Sequence, residues 1–117
     1  MKKIVGIIFL IALLLGCGGR MARPDEISPG PRPDYEKVIL SFLKESLFDP
    51  DSLKDFSFVG PCQEEVVKTG MSKYDLVKGM KVYECRVLYN AKNRYGGYTG
   101  KKGHIIWIRN EKVVAAW

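Results

Sequence analysis

The residues best suited to binding are concentrated in one stretch, 90–103, which reads NAKNRYGGYTGKKG. Tyrosine supplies large amphipathic contacts, arginine and lysine supply positive charge, and binding loops often carry them on a glycine framework. We therefore identify four candidate binding residues here: Arg94, Tyr95, Tyr98 and Lys101. The alternative is a structural hairpin, in which the glycines permit turns and the tyrosines cover the end of a sheet.

Catalytic chemistry has no recognisable arrangement of residues in this sequence. His104 is the single histidine, and no serine motif or free reactive cysteine lies near it. Asp49 and Asp51 could act as paired carboxylates, but their position where a helix stops explains them more simply. The phosphate-binding pattern GxxxxGK[ST] is absent, and no cluster of histidine and cysteine supports a zinc site. We therefore predict a protein that is not an enzyme, with no catalytic residue, no metal and no cofactor.

The N-terminus has the pattern of an export signal. Two lysines precede an apolar run from Ile4 to Leu15, which is followed by Gly16 and Cys17. A basic start, an apolar centre of about 7 to 15 residues and a small-residue exit are typical of a secretory signal peptide. As a helix the run would rise only about 18 Å, too little to cross about 30 Å of hydrocarbon. We therefore expect residues 1–16 to be cleaved from the mature protein.

The end of this signal, Leu14-Leu15-Gly16-Cys17, resembles the lipobox of bacterial lipoproteins. The resemblance implies a diacylglyceryl thioether on Cys17, cleavage after Gly16, and acylation of the new amino terminus, for example with palmitate. Such a doubly or triply acylated end would be a stable membrane anchor. Gly18, rather than Asp, favours the outer membrane, facing the periplasm, if the host has two membranes. The alternative is an ordinary signal peptide with a chance cysteine at its end.

The three cysteines are consistent with this location. If Cys17 carries lipid, Cys62 and Cys85 remain as a pair, and exported proteins meet an oxidising compartment. Their 22 intervening residues exclude a CxxC redox motif. We therefore expect a disulfide between Cys62 and Cys85. The alternative is a pair of reduced, buried thiols.

The mature chain divides by composition into a tether and one small domain. Residues 17–33 contain the lipidated cysteine and a proline- and glycine-rich segment. This composition leaves little apolar surface to bury, so we expect an extended spacer that reaches up to roughly 50 Å. Residues 34–117 are enough for one small domain.

The domain sequence predicts an α+β fold. Asp34 is a plausible N-cap for a helix from about Tyr35 to Phe48, whose apolar residues recur at three- and four-residue steps. Such a helix could lie on a bilayer, but its mixed polar face favours packing on a sheet. Alternating patterns predict strands around Phe56 and Phe58, and at 80–90, 104–109 and 113–117. Residues 63–79 have no consistent period, and we assign them to a loop. The expected fold is one N-terminal amphipathic helix packed on a small antiparallel sheet of about four strands.

A second resemblance concerns the mature part. The DPDS sequence at 49–52, followed by NAKNRYGGYTG at 90–100, resembles a group of small exported bacterial proteins without an assigned function. The similarity covers most of residues 48–100. It implies a shared fold unit and carries no known active site.

These features together predict a lipid-anchored, non-catalytic interaction module of the cell envelope. Loss of the two signal lysines lowers the formal charge from +6 to +4, a modest surplus that is no nucleic-acid footprint. The expected partners are the membrane, through Cys17, and an envelope protein or cell-wall polymer, through the loop. The alternative is an inhibitor or immunity lipoprotein that acts on a lysozyme-like enzyme or on phage. A small hydrolase is a third hypothesis and would depend on His104.

Overall fold

A computed structural model of the chain describes residues 20–117. The predicted signal peptide, 1–16, and the predicted lipidation site, Cys17, lie outside the described residues. Over residues 20–117 no helix has both the length and the apolar character needed to cross a membrane.

The described chain is α+β, as predicted, with a five-stranded antiparallel sheet. Two helices, α1 and α2, precede the sheet at Pro24–Ile27 and Tyr35–Ser46. The strands are β1 (Lys54–Phe58), β2 (Gln63–Val66), β3 (Lys81–Asn90), β4 (Lys102–Arg109) and β5 (Lys112–Ala116). The strand order is β1-β3-β4-β5, and β2 pairs with the same edge of β3 as β1.

The predicted number of strands is one too low, because β2 lies in the segment that we assigned to a loop. Its sequence, QEEV, has almost no apolar alternation and gives no strand signal of its own. The strand exists because it pairs with the first half of β3, whereas β1 pairs with the second half. Together β1 and β2 form one interrupted edge strand.

The predicted disulfide between Cys62 and Cys85 is present at this interruption. Gln63 pairs with Glu84, so the two cysteines lie directly opposite each other, with Cα atoms 4.4 Å apart. That spacing is typical of a pair without backbone hydrogen bonds in an antiparallel ladder. The bond therefore fastens the edge to β3 where the ladder is broken.

One face of the sheet is covered by α2. The Asp34 carboxylate accepts a hydrogen bond from the Lys37 amide at 3.2 Å, which caps the first turn as predicted. Ile39 and Leu43 point from α2 into the sheet and are almost fully buried. The buried residues of this core come from α2, β3 and β4: Ile39, Leu43, Tyr83, Cys85, Val87, Tyr89, Ile106 and Ile108.

The opposite face is covered in part by residues 67–80, which fold back over it. The backbones of Met71 and Leu76 hydrogen-bond to each other in both directions, at 2.8 and 3.1 Å. A second core then forms from Val67, Leu76, Met80, Val82, Trp107 and Ala115. The irregular spacing of the apolar residues in 67–80 explains why a periodic pattern could not reveal this role.

Residues 20–33 differ from the extended spacer that composition suggested. Asn110 donates its amide to the Pro29 carbonyl at 2.7 Å, and the Tyr83 hydroxyl donates to the Gly30 carbonyl at 3.2 Å. Gly30 adopts a φ of +82°, and a Cβ there would lie 2.5 Å from the Asn110 side chain. We call residues 20–33 the docked segment, because they lie along the sheet instead of away from it.

Arg109 holds the docked segment from the sheet side. Its guanidinium donates to the carbonyl oxygens of Glu26 at 2.7 Å and Ile27 at 3.3 Å, and to that of Lys81 at 2.6 Å. Glu26 and Ile27 end the short helix α1, and the last carbonyls of a helix have no partner within it, so one arginine with several donors can bind them together. The composition of residues 20–33 indicates that they have little apolar surface to bury, but it does not indicate their hydrogen bonds to Arg109.

Candidate binding groove at the end of the sheet

The loop between β3 and β4 carries the four predicted binding residues, and Asn93 organises its tip. The Asn93 side-chain oxygen accepts from the Tyr95 amide at 2.8 Å, and its backbone oxygen accepts from the Gly96 amide at 3.0 Å. Gly96 has a φ of +81°, which favours glycine at this position. The turn places Tyr95 at the outermost point of the loop.

Tyr98 lies inward and is anchored to the body of the domain. Its hydroxyl donates to the Ser52 carbonyl oxygen at 2.9 Å, and the Lys54 ammonium lies 3.9 Å from its ring centroid. The Ser52 hydroxyl in turn accepts from the Lys92 amide at 2.8 Å and donates to the Asp49 carbonyl at 2.7 Å. Tyr98 therefore supports the loop, as the structural-hairpin alternative describes.

Tyr95 and Arg94 remain free at the tip. The Tyr95 side chain is 86% exposed, and the Arg94 guanidinium lies 5.7 Å from its ring centroid. Lys101 is also exposed, but it does not line the groove described next. The four predicted residues thus lie in one loop but in three different surroundings. One is anchored to the domain, two are at the tip, and one is exposed away from the groove.

A groove of about 490 Å³ lies between the end of α2 and this loop. Phe48, 71% exposed, forms part of one wall, and Tyr89 belongs to both the groove and the core. The lining residues are Ser46, Leu47, Phe48, Tyr89, Ala91, Lys92, Asn93, Arg94 and Lys102. Three of them are cationic and, within the described chain, none is a carboxylate. We call this site the Phe48 groove.

A partly buried hydrogen bond supports Tyr89, which lines the Phe48 groove. The Tyr89 hydroxyl lies 2.9 Å from Nε2 of His104, and the two rings stack with centroids 5.4 Å apart. Burial raises the pKa of the Tyr89 phenol, so the phenol stays neutral at physiological pH. The contact that the structure shows for the His104 ring is therefore with a buried phenol, and it holds the aromatic ring of Tyr89 in place.

Phe48 and Tyr89 were not predicted from the sequence as groove residues, and Lys102 was included in the charged stretch 90–103 without being selected as a binding residue. Phe48 gave a weak signal, because it is a large apolar residue outside the apolar stripe of α2. Tyr89 lies on the same face of β3 as the core residues Cys85 and Val87, so its position in the sequence gave no separate signal. Lys102 is part of β4 and meets α2 only in the folded chain.

The Phe48 groove and the first described residues lie at opposite ends of β3. Ala22 donates its amide to the Lys78 carbonyl at 2.8 Å, close to where β3 begins. The loop with Arg94 follows the other end of this strand. Ten residues of strand separate the two ends by about 30 Å.

The described residues offer no alternative metal centre. Within 20–117 no group of three or more His, Cys, Asp or Glu side chains is placed to hold a metal ion. The candidate site is thus a groove of aromatic and cationic side chains. Comparison of the chain with protein-family models, with curated proteins and with solved structures finds no match.

Proposed function

We propose that this chain is a lipid-anchored bacterial lipoprotein of the cell envelope and acts as a non-catalytic binding module. The lipobox-like sequence that ends in Cys17 supports the anchor. The outer membrane, on its periplasmic side, is the proposed location if the host has two membranes. The partner contacts the Phe48 groove and the loop tip with Tyr95, and it is an envelope protein or a cell-wall polymer.

One observation carries the binding role: exposed aromatic and cationic side chains surround a groove that stands on a rigid base. Tyr95 and Phe48 are the two most exposed large hydrophobic residues of the described chain. The loop beneath them is anchored through Tyr98 and Ser52, so little order has to be gained when a partner binds. The groove lies about 30 Å along β3 from the Ala22–Lys78 contact, which favours access by a partner beyond the membrane surface.

Cross-linking in cells tests the binding role. A photoreactive phenylalanine analogue replaces Tyr95 in the full chain, and the same analogue at Lys68 is the matched control. Lys68 is exposed and lies at the chain-entry end of the domain. We expect a discrete cross-linked product from Tyr95 and none from Lys68. Equal products from both positions, or none from Tyr95, would contradict the proposal.

Fractionation and mass spectrometry test the anchor separately. The mature protein should begin at Cys17 and carry acyl mass, and Cys17→Ser should move the protein from the membrane fraction to the aqueous fraction. The variant Ser28→Ala should leave the distribution unchanged. A mature chain that begins elsewhere would contradict lipidation at Cys17, and it would leave the proposed binding role of the Phe48 groove unaffected.

The protruding tip favours a second candidate function, inhibition of an envelope enzyme. Tyr95 and Arg94 stand beyond the turn made by Asn93, in a shape that could enter an enzyme cleft. In this case the purified full chain should slow a muramidase, and Tyr95→Ala should abolish the effect. Tyr74→Ala is the control, because Tyr74 lies near the other end of the domain. No inhibition by the wild-type chain would exclude this role for muramidases.

A further inference from the structure

We infer that the Phe48 groove binds an acidic glycan, a chain of sugar rings that carries carboxylate or phosphate groups. The inference rests on the proposed binding function and assigns the chemistry of the ligand. Lys92, Arg94 and Lys102 line the groove, and no Asp or Glu of the described chain lines it with them. Uncompensated arginine and lysine donors bind carboxylate and phosphate oxygens through charge-assisted hydrogen bonds.

The aromatic side chains fit the sugar rings of such a ligand. Phe48 presents an exposed ring in the wall of the groove, and Tyr95 presents another beside Arg94. The C–H faces of sugar rings pack against aromatic rings, while their hydroxyls require hydrogen-bonding groups nearby. Ser46 and Asn93 line the same groove and can supply them. Charge, aromatic surface and neutral polar groups thus occur together in one site.

The composition of the groove favours a glycan over a peptide. Recognition of a peptide through apolar anchor side chains depends on pockets in which those side chains become fully desolvated. More than half of the lining residues of the Phe48 groove are polar or charged, and its largest apolar side chain, Phe48, is exposed to solvent. A glycan is preferred over membrane headgroups as the source of the anionic groups, since the groove is about 30 Å along β3 from the Ala22–Lys78 contact.

Calorimetric titration of the full chain in detergent micelles tests the inference. The carboxylate probe is tetragalacturonic acid, compared with its neutral methyl ester, and the phosphate probe is phosphorylated maltotetraose, compared with maltotetraose. We expect at least one acidic probe to bind about tenfold more tightly than its neutral counterpart, with binding weakened at high salt. The acidic probe that binds shows whether the groove recognises carboxylate or phosphate groups.

Matched variants locate the binding. Arg94→Gln with Lys102→Gln should weaken the acidic probe about tenfold, because two charge-assisted contacts are lost. Lys37→Gln with Lys112→Gln removes the same charge from a different part of the surface and should leave the affinity unchanged. Phe48→Ala should weaken both the acidic and the neutral probes. Unfolding curves followed by the fluorescence of Trp107 and Trp117 establish that each variant is folded.

Three results would overturn the inference: equal affinity for the charged and neutral probes, no binding of either acidic probe, or full affinity in the Arg94 and Lys102 variant. The Tyr95 cross-link distinguishes this failure from failure of the proposed function. A cross-linked partner without acidic-glycan binding overturns the ligand assignment alone. Loss of both the cross-link and the glycan binding overturns the binding function as well.

Discussion

The Tyr98 hydroxyl donates a hydrogen bond to the Ser52 carbonyl oxygen, 2.9 Å away and 46 residues earlier in the chain. This contact joins the loop after β3 to the short 3-10 turn Pro50–Ser52 that precedes β1. It also separates the two tyrosines of the loop by role. Tyr98 fixes the loop in place, whereas Tyr95 is left free to contact a partner.

Replacement of Tyr98 by Phe should therefore destabilise the fold without changing the exposed tip. We expect the free energy of unfolding to fall by about 1 kcal/mol, because a hydrogen bond is lost and the Ser52 carbonyl loses this donor. Urea denaturation followed by the fluorescence of Trp107 and Trp117 measures the change. Tyr95→Phe is the matched control and should leave the unfolding curve unchanged. Equal effects of the two substitutions would mean that Tyr98 does not anchor the loop.

Loss of the disulfide should weaken the interrupted edge of the sheet. The bond closes a loop from Cys62 to Cys85, a separation of 23 residues, which stabilises the fold by about 3 kcal/mol in the chain-entropy model. The double variant Cys62→Ser, Cys85→Ser should lose about this amount in urea denaturation. Hydrogen exchange should accelerate first in β2, because Cys62 immediately precedes this strand. Exchange that changes uniformly along the sheet would contradict a local role.

Removal of the Arg109 guanidinium should release the docked segment. Arg109→Gln loses donors to the carbonyls of Glu26 and Ile27, and we expect a loss of about 2 kcal/mol in the free energy of unfolding. The Ala22 amide, bonded to Lys78, should also lose protection from hydrogen exchange. Arg86→Gln is the control, since Arg86 is exposed and makes only a 4.0 Å contact with Glu84. An unchanged Ala22 amide in Arg109→Gln would show that other contacts hold the segment.

Acidification should loosen the same segment through Glu26. The Arg20 guanidinium and the Arg23 backbone amide donate to this carboxylate and hold its pKa well below the usual range. When folding lowers the pKa of a carboxyl group, the ionised group stabilises the folded state at pH values above its ordinary pKa of about 4.3. This stabilisation is lost as the pH falls toward the pKa of the group in the folded state. Protection of the Ala22 amide, corrected for intrinsic exchange, should therefore decrease between about pH 5 and about pH 2.

Two variants test whether this pH dependence comes from the Glu26 carboxylate and not from another acidic group. Glu26→Gln should show reduced protection at neutral pH and little further change on acidification. Asp25→Asn, which changes an exposed carboxylate in the same short helix, should keep the wild-type pH dependence. Wild-type pH dependence in Glu26→Gln would assign the effect to another group.

Local patterns in the sequence predicted α2 and the strands β1, β3, β4 and β5 well, because each pattern reflects burial on one face, whereas α1 and β2 were not predicted. The apolar stripe and the Asp34 cap located α2 to within two residues at its end. Alternation located β3 and the strands that follow it, and the even pair of cysteines predicted the disulfide. These signals are encoded in neighbouring residues, so a single sequence is sufficient to read them.

The site and the attachments between distant segments could not be predicted in the same way. β2 has no strand pattern and depends on β3, and the docked segment depends on the donors of Arg109. The Phe48 groove unites residues of α2, β3, β4 and one loop, which no local period connects. Even within the loop, the different roles of Tyr95 and Tyr98 depend on Ser52, far away in the sequence.

The sequence by itself determined the α+β class, the principal helix and strands, the cysteine pair and the composition of the loop, because these follow from residue type and short-range spacing. Only the tertiary structure decided which aromatic residues are anchored and which are free, how residues 20–33 attach, and where cationic side chains converge. The physical reason is that backbone and side-chain hydrogen bonds between distant segments fix these positions, and their partners are specified by the fold as a whole.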